Sequence, residues 1–136
     1  MAVSKEMVLY YQPEQEKQGG NNTKAAKLKG VLIRMGIRIR NISSEQMNQT
    51  VGYLAGIEGF EETAFDACPP VNDEILVMKN FSNRRVDEFL MNLRRAGVPK
   101  IQLKAVITDT NCKWRFYDLY EELKQENEAM SKEPQS

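Results

Sequence analysis

Histidine is missing altogether from the 136 residues, and tryptophan occurs once. Without an imidazole the chain has no histidine general base, no Ser-His or Cys-His nucleophile pair and no histidine-ligated zinc. Cysteine is scarce as well. Cys68 and Cys112 lie far apart and form no C-x-x-C pair, so a thioredoxin-type redox centre is unsupported. No window approaches the roughly eighteen uninterrupted apolar residues of a membrane-spanning helix. The first residues, M-A-V-S-K-E-M-V-L-Y-Y, lack the apolar core and small-residue cleavage site of an export signal. The expectation is a cytoplasmic protein with no membrane partner. On that expectation the Asn-x-Ser/Thr triplets at Asn21, Asn41, Asn48 and Asn80 carry no meaning as glycosylation sites. A dominant charge is also absent, since Lys+Arg and Asp+Glu both number 19. The zero total provides no overall field toward nucleic acid or an anionic membrane.

What is present is an ordinary soluble composition, 41% hydrophobic and 28% charged, in a chain of single-domain length. The run M-V-L-Y-Y at 7–11 is continuously apolar and rich in β-formers, which predicts a buried strand. A polar loop with Pro13 and Gly19-Gly20 follows, and Thr23 is placed to cap a helix. Ala25, Leu28, Val31, Leu32 and Met35 fall at helical spacing, and Gly36 ends that helix. The segment I-R-I-R-N-I at 37–42 alternates with period two and predicts a strand with one wet face. A weaker helix carrying Met47, Val51 and Leu54 starts at Ser43 or Ser44.

The second part repeats this order. I-L-V-M at 75–78 is a buried strand, and Ser82 caps a helix with Val86, Phe89, Leu90 and Leu93 on one stripe. Gly97 and Pro99 stop that helix. Residues 101–108 form a strand, and Asp109 or Thr110 caps a last helix packing through Phe116, Leu119, Tyr120 and Leu123. The organisation is one domain with a β-α-β-α half at 7–56, an acidic connector at 57–73, a second half at 74–124, and a disordered tail at 125–136. Two such halves suggest an internal duplication.

Alternation of β and α implies an α/β fold with parallel pairing. The two continuously apolar strands belong at the centre, while Arg38, Arg40, Gln102 and Lys104 suit edges. The expected architecture is a small three-layer, doubly wound, mainly parallel four-stranded sheet of order 2-1-3-4. The alternative is an α+β fold with some antiparallel pairing.

The stretch at 103–114 reads L-K-A-V-I-T-D-T-N-C-K-W. It resembles an uncharacterised bacterial domain-of-unknown-function family with the signature L-K-A-V-[IL]-T-x-T-N-x-x-W, a resemblance covering about residues 74–123. The matching positions are Lys104, Thr108, Asn111, Trp114, Leu119 and Leu123. The family brings no assigned activity. The resemblance implies that Lys104, Thr108, Asn111 and Trp114 act as a unit in packing or binding.

In a parallel sheet a ligand would favour the carboxyl ends of the strands, where the loops at 12–23, 41–44, 80–84 and 108–111 would meet. The ligand-binding candidates are Lys104, Thr108, Asn111, Trp114, Ser82 and Asn80; no catalytic residue and no metal ligand is assigned. Each has an ordinary structural alternative. Ser82 and Thr110 cap helices, Trp114 packs, and Lys104 is an edge-strand lysine with its head in water. The Gly19-Gly20 loop lacks both phosphate-loop patterns. Cys112, near a helix start, has no base and no resolving partner. The basic segment 24–40 could touch nucleic acid, but it contains no aromatic residue for stacking on bases, which argues against that partner.

The expected function is a small cytoplasmic bacterial binding or regulatory module without catalysis or cofactor, with a homodimer or protein partner possible. The first alternative is an enzyme or sensor of a small anionic ligand at the carboxyl ends of the strands. The second is weak nucleic-acid binding through a basic helix and strand face.

Overall fold

The apolar runs at 7–11 and 75–78 become the two central strands, because only there are both faces of a strand covered. The computed structural model describes residues 6–13, 22–63 and 66–132. Strand β1 (Met7–Tyr11) is followed by helix α1 (Asn22–Arg34), β2 (Arg38–Ile42), a 3-10 turn (Ser44–Gln46) and a one-turn helix α2 (Val51–Leu54). After the connector come β3 (Ile75–Lys79), α3 (Asn83–Arg95), β4 (Leu103–Val106), a second 3-10 turn (Asn111–Lys113) and α4 (Phe116–Lys132). The Gly19-Gly20 loop lies outside the described residues.

The sheet is four-stranded and mixed, in the order β2-β1-β3-β4. Strands β1 and β2 are parallel, as are β3 and β4, but the central pair β1–β3 is antiparallel. The order and edge assignments agree with the reading from strand chemistry, and the antiparallel pair agrees with its alternative. One expectation is overturned. The carboxyl ends of β1 and β2 face one end of the sheet and those of β3 and β4 face the other, so the four loops cannot converge.

Repeated geometry explains the antiparallel centre. Leu9 pairs with Val77, while Met7 pairs with Lys79 and Tyr11 with Ile75. Exchange of the two halves therefore maps the ladder onto itself, as an approximate two-fold axis normal to the sheet requires. The same axis reappears below the sheet, where Thr50 bridges Arg115. There the Val51 amide donates to the Trp114 carbonyl at 2.8 Å, and the Phe116 amide donates to the Gln49 carbonyl at 2.9 Å.

Helices cover both faces. Against α1 and α3 lie Val8, Tyr10, Leu76 and Met78, packed with Leu28, Val31, Leu32, Phe89 and Leu93. Against α2 and α4 lie Leu9, Tyr11, Ile75 and Val77, packed with Met47, Val51, Leu54, Phe116 and Leu119. The largest fully buried side chains, Phe89 and Phe116, are split between these layers. Burial of each is worth about 2–3 kcal/mol.

Among the described residues, two ion pairs tie one half to the other. Arg85, the third residue of α3, grips Glu6 with two N–H groups at 2.7 and 2.8 Å and also donates to the Met35 carbonyl at 2.9 Å. Lys24, the third residue of α1, holds Glu74 at 2.5 Å, and Tyr10 donates to the same carboxylate. Glu6 and Glu74 each precede a central strand by one residue. These pairs follow from the antiparallel centre, which puts the start of each helix beside the start of the other half's strand.

Sequence periodicity misses the length of the last helix. Helix α4 runs to Lys132, past the end of its apolar stripe. Residues 125–132 are Q-E-N-E-A-M-S-K, mostly good helix formers that need no core contact to continue a helix already nucleated.

Candidate functional site: a cationic cleft between α3 and β4

Lys104 is the second residue of β4, on the face covered by α3. An edge strand has one hydrogen-bonded neighbour, so its side chains stand at the margin of the core, part covered and part open. Here the α3–β4 connection, turned by Gly97 at φ 81°, folds back to form a cleft of about 240 Å³. Leu90, Leu93, Val98 and Ile101 supply its apolar surface, and Arg94, Lys100 and Lys104 supply its charge. Among the described residues lining it there is no carboxylate.

Lys104 is half-buried, and its Nζ donates to the Ile101 carbonyl. Burial pushes its pKa below the ordinary lysine value of 10.5, and the nearby Lys100 charge adds to the shift. The edge-strand reading, a lysine with its head in water, accounts for the position in the sheet but not for this environment.

The repeated halves provide an internal comparison. Val8 pairs with Ile39 as Leu76 pairs with Lys104, so Ile39 and Lys104 are equivalent positions. Ile39 packs on the α1–α3 core as an apolar side chain should. The fold thus accepts isoleucine at this position, and lysine is not required by the architecture.

The other expected site residues are elsewhere. Thr108 and Asn111 satisfy each other in a closed turn: the Thr108 amide donates to Asn111 Oδ1 at 2.8 Å, and the Asn111 amide donates to Thr108 Oγ1 at 3.1 Å. Asn111 Nδ2 donates to the Val106 carbonyl at 3.0 Å, which occupies an acceptor of the edge strand. Trp114 packs on the opposite core, beside α2 and α4. The implied unit of Lys104, Thr108, Asn111 and Trp114 is therefore divided three ways. Lys104 points back toward Ile101, the Thr108–Asn111 pair closes a turn beyond the strand, and Trp114 lies across the sheet.

Ser82 is an N-cap, its Oγ accepting from the Arg85 amide at 3.2 Å. Asn80 adopts a left-handed conformation, φ 62°, at the end of β3. It borders an open cleft of about 380 Å³ with Lys79, Thr108, Asp109 and Cys112. Charges there are mixed, since Glu58 and Asp109 face it and Lys79 Nζ already donates to the Ala55 carbonyl at 2.8 Å. An anion gains little in such surroundings.

Neither cysteine is poised as a nucleophile. Cys112 is buried in the 3-10 turn ahead of α4, its Sγ 3.4 Å from the Asp109 carbonyl. Burial pushes the Cys68 thiol up, away from the thiolate, and outweighs the lowering by Arg115.

The basic segment 24–40 does not form one face. Ile39 faces the α1–α3 layer and Ile42 the other, so Arg38 and Arg40 project to the side opposite α1. Lys24 is engaged by Glu74.

Arg94 and Lys100 were not singled out from the sequence. Arg94 lies in the last turn of α3 on its exposed side and Lys100 sits in a connection, both common places for a cation. The available signal was the R-R-A-G-V-P-K-I-Q-L-K run, which places four cations around a single helix–strand connection, three of them at the cleft.

Residues 74–130 match the family model described as Domain of unknown function (DUF3783), a stretch that contains β3, α3, β4 and most of α4 and so the whole of the cleft. No curated protein and no solved structure matches the chain.

Proposed function

We propose that the protein is a small binding or regulatory module of the cytoplasm. It takes an anionic ligand with an apolar portion in the cleft of Arg94, Lys100 and Lys104. The observation that carries this reading is the half-buried Lys104, grouped with two further cations and no acid, where the equivalent Ile39 shows that an apolar side chain suffices. Like charges in a partly desolvated cleft repel, and a bound carboxylate or phosphate relieves that repulsion. The apolar wall of Leu90, Leu93 and Ile101 accommodates the rest of the ligand. No helix among the described residues is long and apolar enough to cross a membrane. The L-K-A-V-I-T segment brings Lys104 to this cleft, and Arg94 and Lys100 come to it from the same matched region.

Calorimetric titration with a panel of small carboxylates and phosphates tests the reading. Lys104→Met or Arg94→Gln is expected to weaken binding of any hit by roughly 10–100-fold, the worth of one charged hydrogen bond. Equal affinity in wild type and Lys104→Met overturns it.

A further inference from the structure

We propose that Lys104 captures carbonyl compounds bearing a carboxylate, such as 2-oxo acids, as a reversible imine, an inference that rests on the anion-binding reading of the same cleft. Three features of the geometry bear on it. The Nζ is anchored by donation to the Ile101 carbonyl, which orients the amine without consuming its lone pair. Apolar surface from Leu90, Leu93, Val98 and Ile101 lines the space beside it. Arg94 and Lys100 border the same space and supply the charge that would hold the carboxylate of such a compound.

A lysine becomes nucleophilic when it is desolvated or set beside another cation, because both disfavour the ammonium form. Lys104 has both conditions, partial burial and Lys100. Among the described residues no carboxylate lines the site to undo this, in contrast to Lys24, which is held by Glu74 at 2.5 Å.

The chemistry balances without an oxidant or reductant. The neutral Nζ attacks the carbonyl carbon, a C–N bond forms, and the carbonyl π pair moves to oxygen, which takes up a proton shed by nitrogen. Loss of that hydroxyl as water, with the second proton of nitrogen, leaves the C=N double bond. Hydrolysis reverses both steps, so the ligand is captured and released unchanged.

Glyoxylate, with cyanoborohydride to reduce the imine to a stable secondary amine, is the probe for the full chain. Glycolate, which has the carboxylate but no carbonyl, is its control. Peptide mapping by mass spectrometry is expected to show Lys104 trapped at least about fivefold faster than the exposed Lys113, the preference a desolvated amine should show. Lys104→Arg keeps the charge and should still bind glycolate by NMR titration while trapping nothing at this position. Arg94→Gln should slow trapping without unfolding the protein, since Arg94 is exposed. Trapping spread evenly over the lysines overturns the inference. Shifts from both ligands at the cleft with no trapped Lys104 overturn imine formation and leave the anion site standing. Shifts from neither ligand overturn both.

Discussion

Ile39 and Lys104 occupy the same place in the two halves of the protein, each paired across a parallel ladder with a central strand, at Val8 and Leu76 respectively. One is a half-buried apolar residue packed against the core, and the other is a half-buried cation with no acid beside it among the described residues. Where a repeated architecture tolerates an apolar residue in one copy, a charged residue in the other is retained at some cost in stability. On the proposed function, that cost is what an anionic ligand would recover on binding.

Lys104→Ile should accordingly stabilise the unliganded protein by about 0.5–1 kcal/mol, measured by urea denaturation near neutral pH. The difference should shrink in alkali. Because the folded pKa lies below the unfolded value of 10.5, the unfolded state binds more protons between the two values. Wild-type stability therefore gains from this group as pH rises through that window and is insensitive to it well below. A constant gap between the two proteins up to pH 11, on the alkaline side of 10.5, contradicts the burial of Lys104.

The two ion pairs between the halves differ in geometry, and their removal should differ in cost. Arg85 makes two hydrogen bonds to Glu6 and one to the Met35 carbonyl, with its side chain 28% exposed. Arg85→Met should cost about 2–3 kcal/mol, since it removes three part-buried hydrogen bonds at once, two of them to a carboxylate. Lys24→Met removes one contact to Glu74, and Tyr10 still donates to that carboxylate, so about 1 kcal/mol is expected. Thermal melting of both variants checks the ranking, and an equal or reversed order counts against it.

Two glycines should respond in opposite directions to alanine. A Cβ on Gly52 would lie 2.6–2.7 Å from three atoms of the Phe60 ring, including the atom that joins the ring to its side chain. The ring must move as a whole, and Gly52→Ala should cost about 1–3 kcal/mol. A Cβ on Gly30, inside α1, meets nothing within 4 Å. Gly30→Ala should stabilise by about 0.5–1 kcal/mol through helix propensity and reduced unfolded-state freedom. Denaturant midpoints of the two variants should therefore move apart from wild type in opposite directions.

Much of the fold is visible in residue order. Continuous apolar runs at Met7–Tyr11 and 75–78 mark central strands because a strand covered on both faces has no use for polar residues. Alternation in R-I-R-N-I marks an edge for the converse reason. Ser82 caps its helix as its position suggests, since a cap is a local interaction between residues three apart. Thr108 and Asn111 were recognisable as a polar turn, but their mutual satisfaction was not, because hydrogen-bond partners depend on backbone angles that sequence spacing leaves open.

Strand direction lay beyond the sequence. Period and polarity are the same for a strand read either way, so nothing in M-V-L-Y-Y or I-L-V-M states that these two run antiparallel. That orientation is decided by how two similar halves close on a shared core, and it separates loops that a parallel sheet would have gathered. The cleft has the same character. The sequence by itself determined the four strands, the long helices α1 and α3, the order of the elements and the lack of any imidazole chemistry, all of which rest on local spacing and composition. Only the tertiary structure brought Arg94 and Lys100 to Lys104 and showed Ile39 in the matching place, because proximity between separate elements is a property of packing.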